Sequence, residues 1–209
     1  MRRTMISLAA LVTVLAGLVV APPGTAAPAP VGRDRLLTLD DYATVYPDMD
    51  DPIRVVLRSP VFAPRGCEDQ EAVVRGSSRI QGSVSPASRR RSVALIDQNV
   101  VRFGSTEAAR QLLQRYRFFS KRCVGNVRTD DGEGGRVTLK NRAWIPPRVG
   151  DESTGMLIGW LQGGAITWRR VLATRVGRTV SVLDVSFTEV RPPQDDLVAL
   201  GALAVERLD

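Results

Sequence analysis

The 209-residue chain has no histidine and only two cysteines, and these two facts decide most of what its side chains can do. Without histidine there is no Ser-His-Asp or Cys-His nucleophile and no imidazole metal centre. No G-x-S-x-G elbow, S-x-x-K pair or phosphate-cradling glycine loop occurs either. The remaining acid–base candidates are carboxylates close in sequence: Asp48, Asp50 and Asp51; Asp130, Asp131 and Glu133; Asp151 and Glu152. Two such groups can hydrolyse a glycoside when they face one cleft about 5–9.5 Å apart. Each cluster sits beside glycine or proline, which places it in a turn, where a solvated carboxylate is the ordinary occupant. Asp130-Asp131-Gly132-Glu133 also lacks the alternating ligand spacing of a calcium loop. No enzyme activity, catalytic residue, metal or cofactor is therefore expected.

Binding is the chemistry that remains. Arg89, Arg90 and Arg91 form the densest charge cluster, and guanidinium forks suit phosphate or carboxylate, so an anion contact competes there with a solvated turn. Trp144, Trp160 and Trp168 fall in three successive strand-like runs, where they could share a face and line a groove but are read as core. The net charge of +7 is carried almost wholly by arginine, the lysines being Lys121 and Lys140. Such a balance favours anionic neighbours such as wall polymers, although a solvated surface is the plainer explanation.

The two cysteines gain meaning from the start of the chain. Arg2 and Arg3, the apolar stretch from Met5 to Ala21, and small Gly24 and Ala26 read as a signal peptide cut after residue 26. An Ala/Pro-rich linker over 27–35 and one domain over 36–209 would follow, secreted or held at the cell envelope, with no membrane anchor after cleavage. In that oxidising setting Cys67 and Cys123 are expected to form one disulfide; two cysteines without histidine make a poor zinc site.

The elements that would position these groups follow from pattern. Thr38 with Asp41 resembles a capping box for a short helix through Val45, stopped by Pro47. Ser92 to Phe103 reads as a strand, and Ser105 caps a helix whose apolar face is Ala108, Ala109, Leu112, Leu113, Tyr116 and Phe119. Arg110, Arg115 and Arg117 take the opposite face, the basic residues near the helix end being explained by the helix dipole. Arg136 to Ile145, Thr154 to Leu161, Ala165 to Val176 and Thr179 to Phe187 are strand-like runs separated by Gly or Pro, a meander. A final helix carries Leu197, Leu200, Gly201, Ala204 and Leu208 as its apolar stripe. Together these predict an α+β fold, an antiparallel sheet packed with two main amphipathic helices and stapled by one disulfide.

Certain segments are also familiar. Val101-Arg102-Phe103-Gly104-Ser105-Thr106-Glu107-Ala108-Ala109, with its helix ending at Arg122-Cys123, resembles the strand, Ser-capped helix and cysteine of the PknH-like extracellular sensor domains of actinobacteria. Val149-Gly150-Asp151-Glu152 and Thr174-Arg175-Val176-Gly177-Arg178-Thr179-Val180 are similar to further segments of that group. The resemblance spans roughly Leu36 to Leu208 and implies a sheet flanked by helices, with a cleft for an extracellular ligand. Kinase-linked members usually carry two disulfides; this chain has cysteines for one. The function expected is a secreted, non-enzymatic, ligand-binding domain of sensor type, its partner an unidentified small or cell-envelope ligand and not nucleic acid. An envelope protein held by anionic wall polymers is the second expectation, and a carboxylate-dependent hydrolase the third.

Overall fold

A computed structural model describes residues 29–49, 52–58, 61–64, 66–67, 72–74, 78–85, 93–130 and 135–209. The signal-peptide region, Arg89 to Arg91, Asp50, Asp51, Asp131 and Glu133 lie outside the described residues. The chain forms β1 (Ile53–Leu57), β2 (Phe62–Ala63), β3 (Ala72–Val73), β4 (Ser78–Ser85), β5 (Val93–Arg102), β6 (Gly125–Asp130), β7 (Arg136–Trp144), β8 (Glu152–Gln162), β9 (Ala165–Val176) and β10 (Thr179–Thr188). Its helices are α1 (Leu39–Val45), α2 (Thr106–Arg122) and α3 (Gln194–Glu206). Eight strands make one sheet in the order β1-β4-β5-β10-β9-β8-β7-β6, every pairing antiparallel, and β2 pairs with β3 separately. The α+β expectation and the β7-to-β10 meander are both met. Two-residue turns at Gly163-Gly164 and Gly177-Arg178 join its hairpins, with left-handed glycines at 163, 164 and 177.

Period-two alternation sorts the central strands into two cores. Along β10, Val180 and Val182 face α2, while Leu183, Val185 and Phe187 face the layer of α1 and α3. Ser105 caps α2 by accepting from the Ala108 amide (3.1 Å), and Ala109, Leu112, Leu113, Tyr116 and Phe119 are buried beneath it. Thr38 and Asp41 close the expected capping box on α1, and Arg207 donates to Asp41 Oδ2 at 2.6 Å, tying the end of α3 to the start of α1. Gly201 lets α3 approach the sheet: a Cβ there would stand 2.5 Å from Leu172 Cδ2. Cys67 and Cys123 are bonded, which pins the segment between β2 and β3 to the end of α2. By the chain-entropy model, a loop of 56 residues contributes about 4 kcal/mol.

Two elements carry little sequence signal. β6 reads GNVRTD, with Val127 as its only apolar side chain; it is an edge strand that needs one inward residue and pairs only with β7. The β2–β3 pair is two residues a side. The tryptophans also divide otherwise than a shared face would require. Trp144 and Trp168 lie on the α3 side, both nearly buried, whereas Trp160, partly buried, packs with the α2 core.

Trp144 and Trp168 sit over glycines of β8. Gly155 stands opposite Trp144 and Gly159 opposite Trp168, and a Cβ would fall 2.4 Å from Trp144 Cε3 or 2.8 Å from Trp168 Cζ3. The rings and the strand backbone flank one another too closely for any side chain. We expect Gly155→Ala to cost about 1–3 kcal/mol, read as a lower urea midpoint with a shifted tryptophan emission maximum.

Candidate functional site: an arginine-lined cleft

A cluster of three arginines and two carboxylates gathers where α2 crosses the start of β8 and the end of β9. Arg110 and Arg117 are seven residues apart, two helical turns, and therefore project on the same side of α2. Glu152 stands directly opposite Arg175 in the β8–β9 ladder. The chain enters β8 through Gly150, whose φ of +67° and whose missing Cβ, which would lie 2.8 Å from the Arg175 carbonyl oxygen, both require glycine. The Asp151 amide then donates to that same carbonyl (2.9 Å).

Glu152 is the hub. Its Oε1 accepts from Arg110 Nε (3.0 Å) and from Arg175 Nε and Nη2 (3.2 and 2.9 Å), and its Oε2 from Arg117 Nη2 (3.0 Å). Arg175 is nearly buried, and its Nη1 also donates to Asp151 Oδ2 (2.9 Å) and to the Gly177 carbonyl (2.8 Å). Asp151 Oδ2 accepts in turn from the Gly177 amide. Partial burial would push the Glu152 carboxyl up, but hydrogen bonds from Arg110, Arg117 and Arg175 outweigh it and hold the group down at about 2. The two carboxylates are thus ligands of arginines. Ser153 Oγ donates to the Pro147 carbonyl and accepts from the Val149 amide, shaping the opposite wall.

Between these walls lies an open cleft of about 660 Å³, lined by the three arginines, both carboxylates, Ser153, Pro146 and a fourth arginine, Arg148. Arg148 is exposed and bonds no carboxylate among the described residues. Four guanidinium groups against two carboxylates leave the cleft net positive, suited to an anion of one or two charges. Among the described residues, no three Cys, Asp or Glu side chains gather as metal ligands would.

Of the acidic clusters named from sequence, Asp151 and Glu152 reach a cleft, and Asp48 stays in the turn after α1. Arg89, Arg90 and Arg91 fall outside the described residues. Of the basic residues near the end of α2, Lys121 and Arg122 lie in the last turn, where the helix dipole favours them, but Arg115 and Arg117 are held otherwise: Arg117 grips Glu152 together with Arg110, and Arg115 donates to the carbonyls of Ala63 and Pro64. Arg148 and Arg175 carried no sequence signal as site residues. A second acidic pair also escaped notice because it is joined only by strand register. Asp97 of β5 stands opposite Asp184 of β10; Asp184 is clasped by Arg169, and Asp97 accepts from Ser83.

A model of the PknH-like extracellular domain matches residues 67–205. The chain belongs to that family. The fold agrees with the crystal structure of the extracellular domain of PknH from Mycobacterium tuberculosis: TM-score 0.62 at 15% identity, over 85% of this chain and 98% of that one. Compared with curated proteins, the sequence has no match. In this member of the PknH-like family, the Gly150-Asp151-Glu152 and Arg175-Val176-Gly177 segments meet, and their meeting builds the wall of the cleft.

Two titrations follow. Glu152 has its pKa lowered in the folded state, so its contribution to stability is complete above the ordinary value of 4.5 and is lost as pH falls toward about 2. Glu152→Gln should lower the urea midpoint at neutral pH, with the gap from the unsubstituted protein closing between those two values. Asp97 has the opposite sign: burial first, then the Asp184 charge, raise its pKa against the hydrogen bond from Ser83. Its charge therefore destabilises the fold above its folded pKa, and Asp97→Asn should raise Tm by about 2 °C at neutral pH and by less in acid.

Proposed function

We propose that the chain is exported and acts outside the cell as a non-enzymatic, ligand-binding domain of sensor type, its ligand a small anion held in the arginine cleft. The observation that carries this reading is the charge count of the cleft: Asp151 and Glu152 are already taken by Arg110, Arg117 and Arg175, while Arg148 faces the same space without a carboxylate partner among the described residues. An incoming phosphate or carboxylate meets guanidinium donors already fixed by Glu152, so little side-chain ordering remains to be done on binding.

The same geometry speaks against hydrolysis at this pair. A glycosidase acid must hold its proton near neutral pH, whereas Glu152 is kept ionised by three arginines. Family membership supports the sensor reading, and the ligand class comes from the cleft alone.

The test is thermal unfolding of the oxidised domain with inorganic phosphate, di- and tricarboxylates and sugar phosphates. A ligand at 100 times its Kd adds about 2.7 kcal/mol, a rise in Tm of roughly 5–10 °C for a domain of this size. Arg148→Gln should leave the Tm of the free domain unchanged and abolish the shift. A panel without any saturable shift, or a shift that survives the substitution, would remove the cleft from consideration.

A further inference from the structure

The outer part of the sheet carries a row of cations on the side away from α2. Register places them together. Arg128 of β6 stands opposite Thr138 of β7; Lys140 and Arg142 of β7 stand opposite Gly159 and Leu157 of β8; and these stand opposite Trp168 and Arg170 of β9. Residues directly opposite share a face, so Arg128, Lys140, Arg142 and Arg170 occupy one face, which α3 covers farther along at β9 and β10. Arg191 joins them by lying over the Trp168 ring, as Arg170 lies over Trp144, each 4.7 Å from the ring centroid. Arg128 and Arg191 are exposed, Lys140 and Arg142 half-buried, and Arg170 is buried at the inner end of the row.

These five differ from the ion-paired arginines in what neutralises them. Arg110, Arg117, Arg169, Arg175 and Arg207 all bond carboxylates. Among the described residues, none of the five does: Arg142 donates to the carbonyls of Asn141 and Gly125, and Arg170 to that of Pro192. Asp195, at the start of α3, is an acidic group whose charge reaches Arg170. Like charges held this close on a stiff sheet repel: after burial, the charge of Arg191 is the next cause lowering the Arg170 pKa.

Spacing selects the occupant. Lys140 and Arg142, two residues apart on one strand, project about 7 Å from each other, and the row from Arg128 to Arg170 runs diagonally for about 20 Å. A single small anion would satisfy one or two of these groups; a chain with an anion at each repeat satisfies them together. The tryptophan rings beneath are nearly buried under their arginines and offer no anchor to a bilayer. A second copy of the same face would be repelled. We propose that this face binds an extended phosphodiester polymer, a site separate from the arginine cleft and independent of what the cleft holds.

Poly(glycerol phosphate) serves as the probe, with glycerol phosphate and anionic vesicles beside it. The protein should bind the polymer saturably, losing about 20- to 100-fold in affinity as salt rises from about 50 to 200 mM, the counter-ion release of three to five contacts. The triple substitution Arg128→Gln, Lys140→Gln, Arg142→Gln should lower the salt slope by about 2 and weaken binding at least about tenfold at the lower salt. A control triple of equal charge change at exposed Arg33, Lys121 and Arg122 should bind almost as the unsubstituted protein does. Arg128→Glu, on an exposed side chain, repeats the test should the triple variant melt early. Equal loss in the control, equal affinity for the monomer, tighter binding to vesicles, or no saturable binding to the polymer would each overturn the proposal.

Discussion

A guanidinium shut away from water must be neutralised by its neighbours, and Arg175 imposes that demand on the region around it. It lies at the end of β9, nearly buried, and Glu152 and Asp151 neutralise it from the adjoining strand. Those two carboxylates can take their places only if the chain turns sharply into β8, which is what Gly150 allows. Once Glu152 is fixed, it accepts Arg110 and Arg117 as well, and α2 is held across the strands by charge in addition to its buried leucines. Removing one partner of such a network leaves the others as uncompensated charges, and this is costlier than the loss of one bond. The cleft is the space left over once these bonds are made.

The sheet supplies the stiffness on which that network depends. Its central strands are buried on both faces, under α2 on one side and under α1 and α3 on the other, so small displacements are resisted from both directions. The tryptophan–glycine contacts of β7, β8 and β9 hold the strands flush where α3 no longer reaches. There the arginines replace the helix as cover: Arg170 lies over Trp144 and Arg191 over Trp168. Their stems and planar heads shield apolar rings, the charge of Arg191 staying in water while that of Arg170 is buried against the Pro192 carbonyl. The same side chains are therefore both the lid of a core and the beginning of a charged surface.

What could be read from the sequence was whatever depends on local chemistry. Caps at Thr38 and Ser105, the apolar stripes of α2 and α3, glycine turns and β-branched runs each act within a few residues, and each is found where expected. The disulfide followed from cysteine count and setting. What escaped was non-local. β6 is a strand because β7 offers it an edge, not because GNVRTD favours extension. Arg110 and Arg117 have the spacing of a solvent face whether or not a glutamate waits across the fold. Asp97 and Asp184 are far apart in the chain and become neighbours through register alone. The segments that resemble the family were visible in the sequence; that they converge on one wall was not.

The positive surface thus divides into two regions with different physics. In the cleft, arginines are held by carboxylates that belong to the fold, so their geometry is set before any ligand arrives and the excess charge is small. On the outer sheet no carboxylate bonds the cations among the described residues, and the excess is spread along about 20 Å. A discrete anion gains most in the first setting, where directed hydrogen bonds in a recess are poorly screened by salt. A repeating anion gains most in the second, where each contact is weak and exposed and the released counter-ions add up. Net charge alone cannot distinguish these cases, since it sums both regions. The distinction lies in whether the protein has placed negative groups of its own among the positive ones.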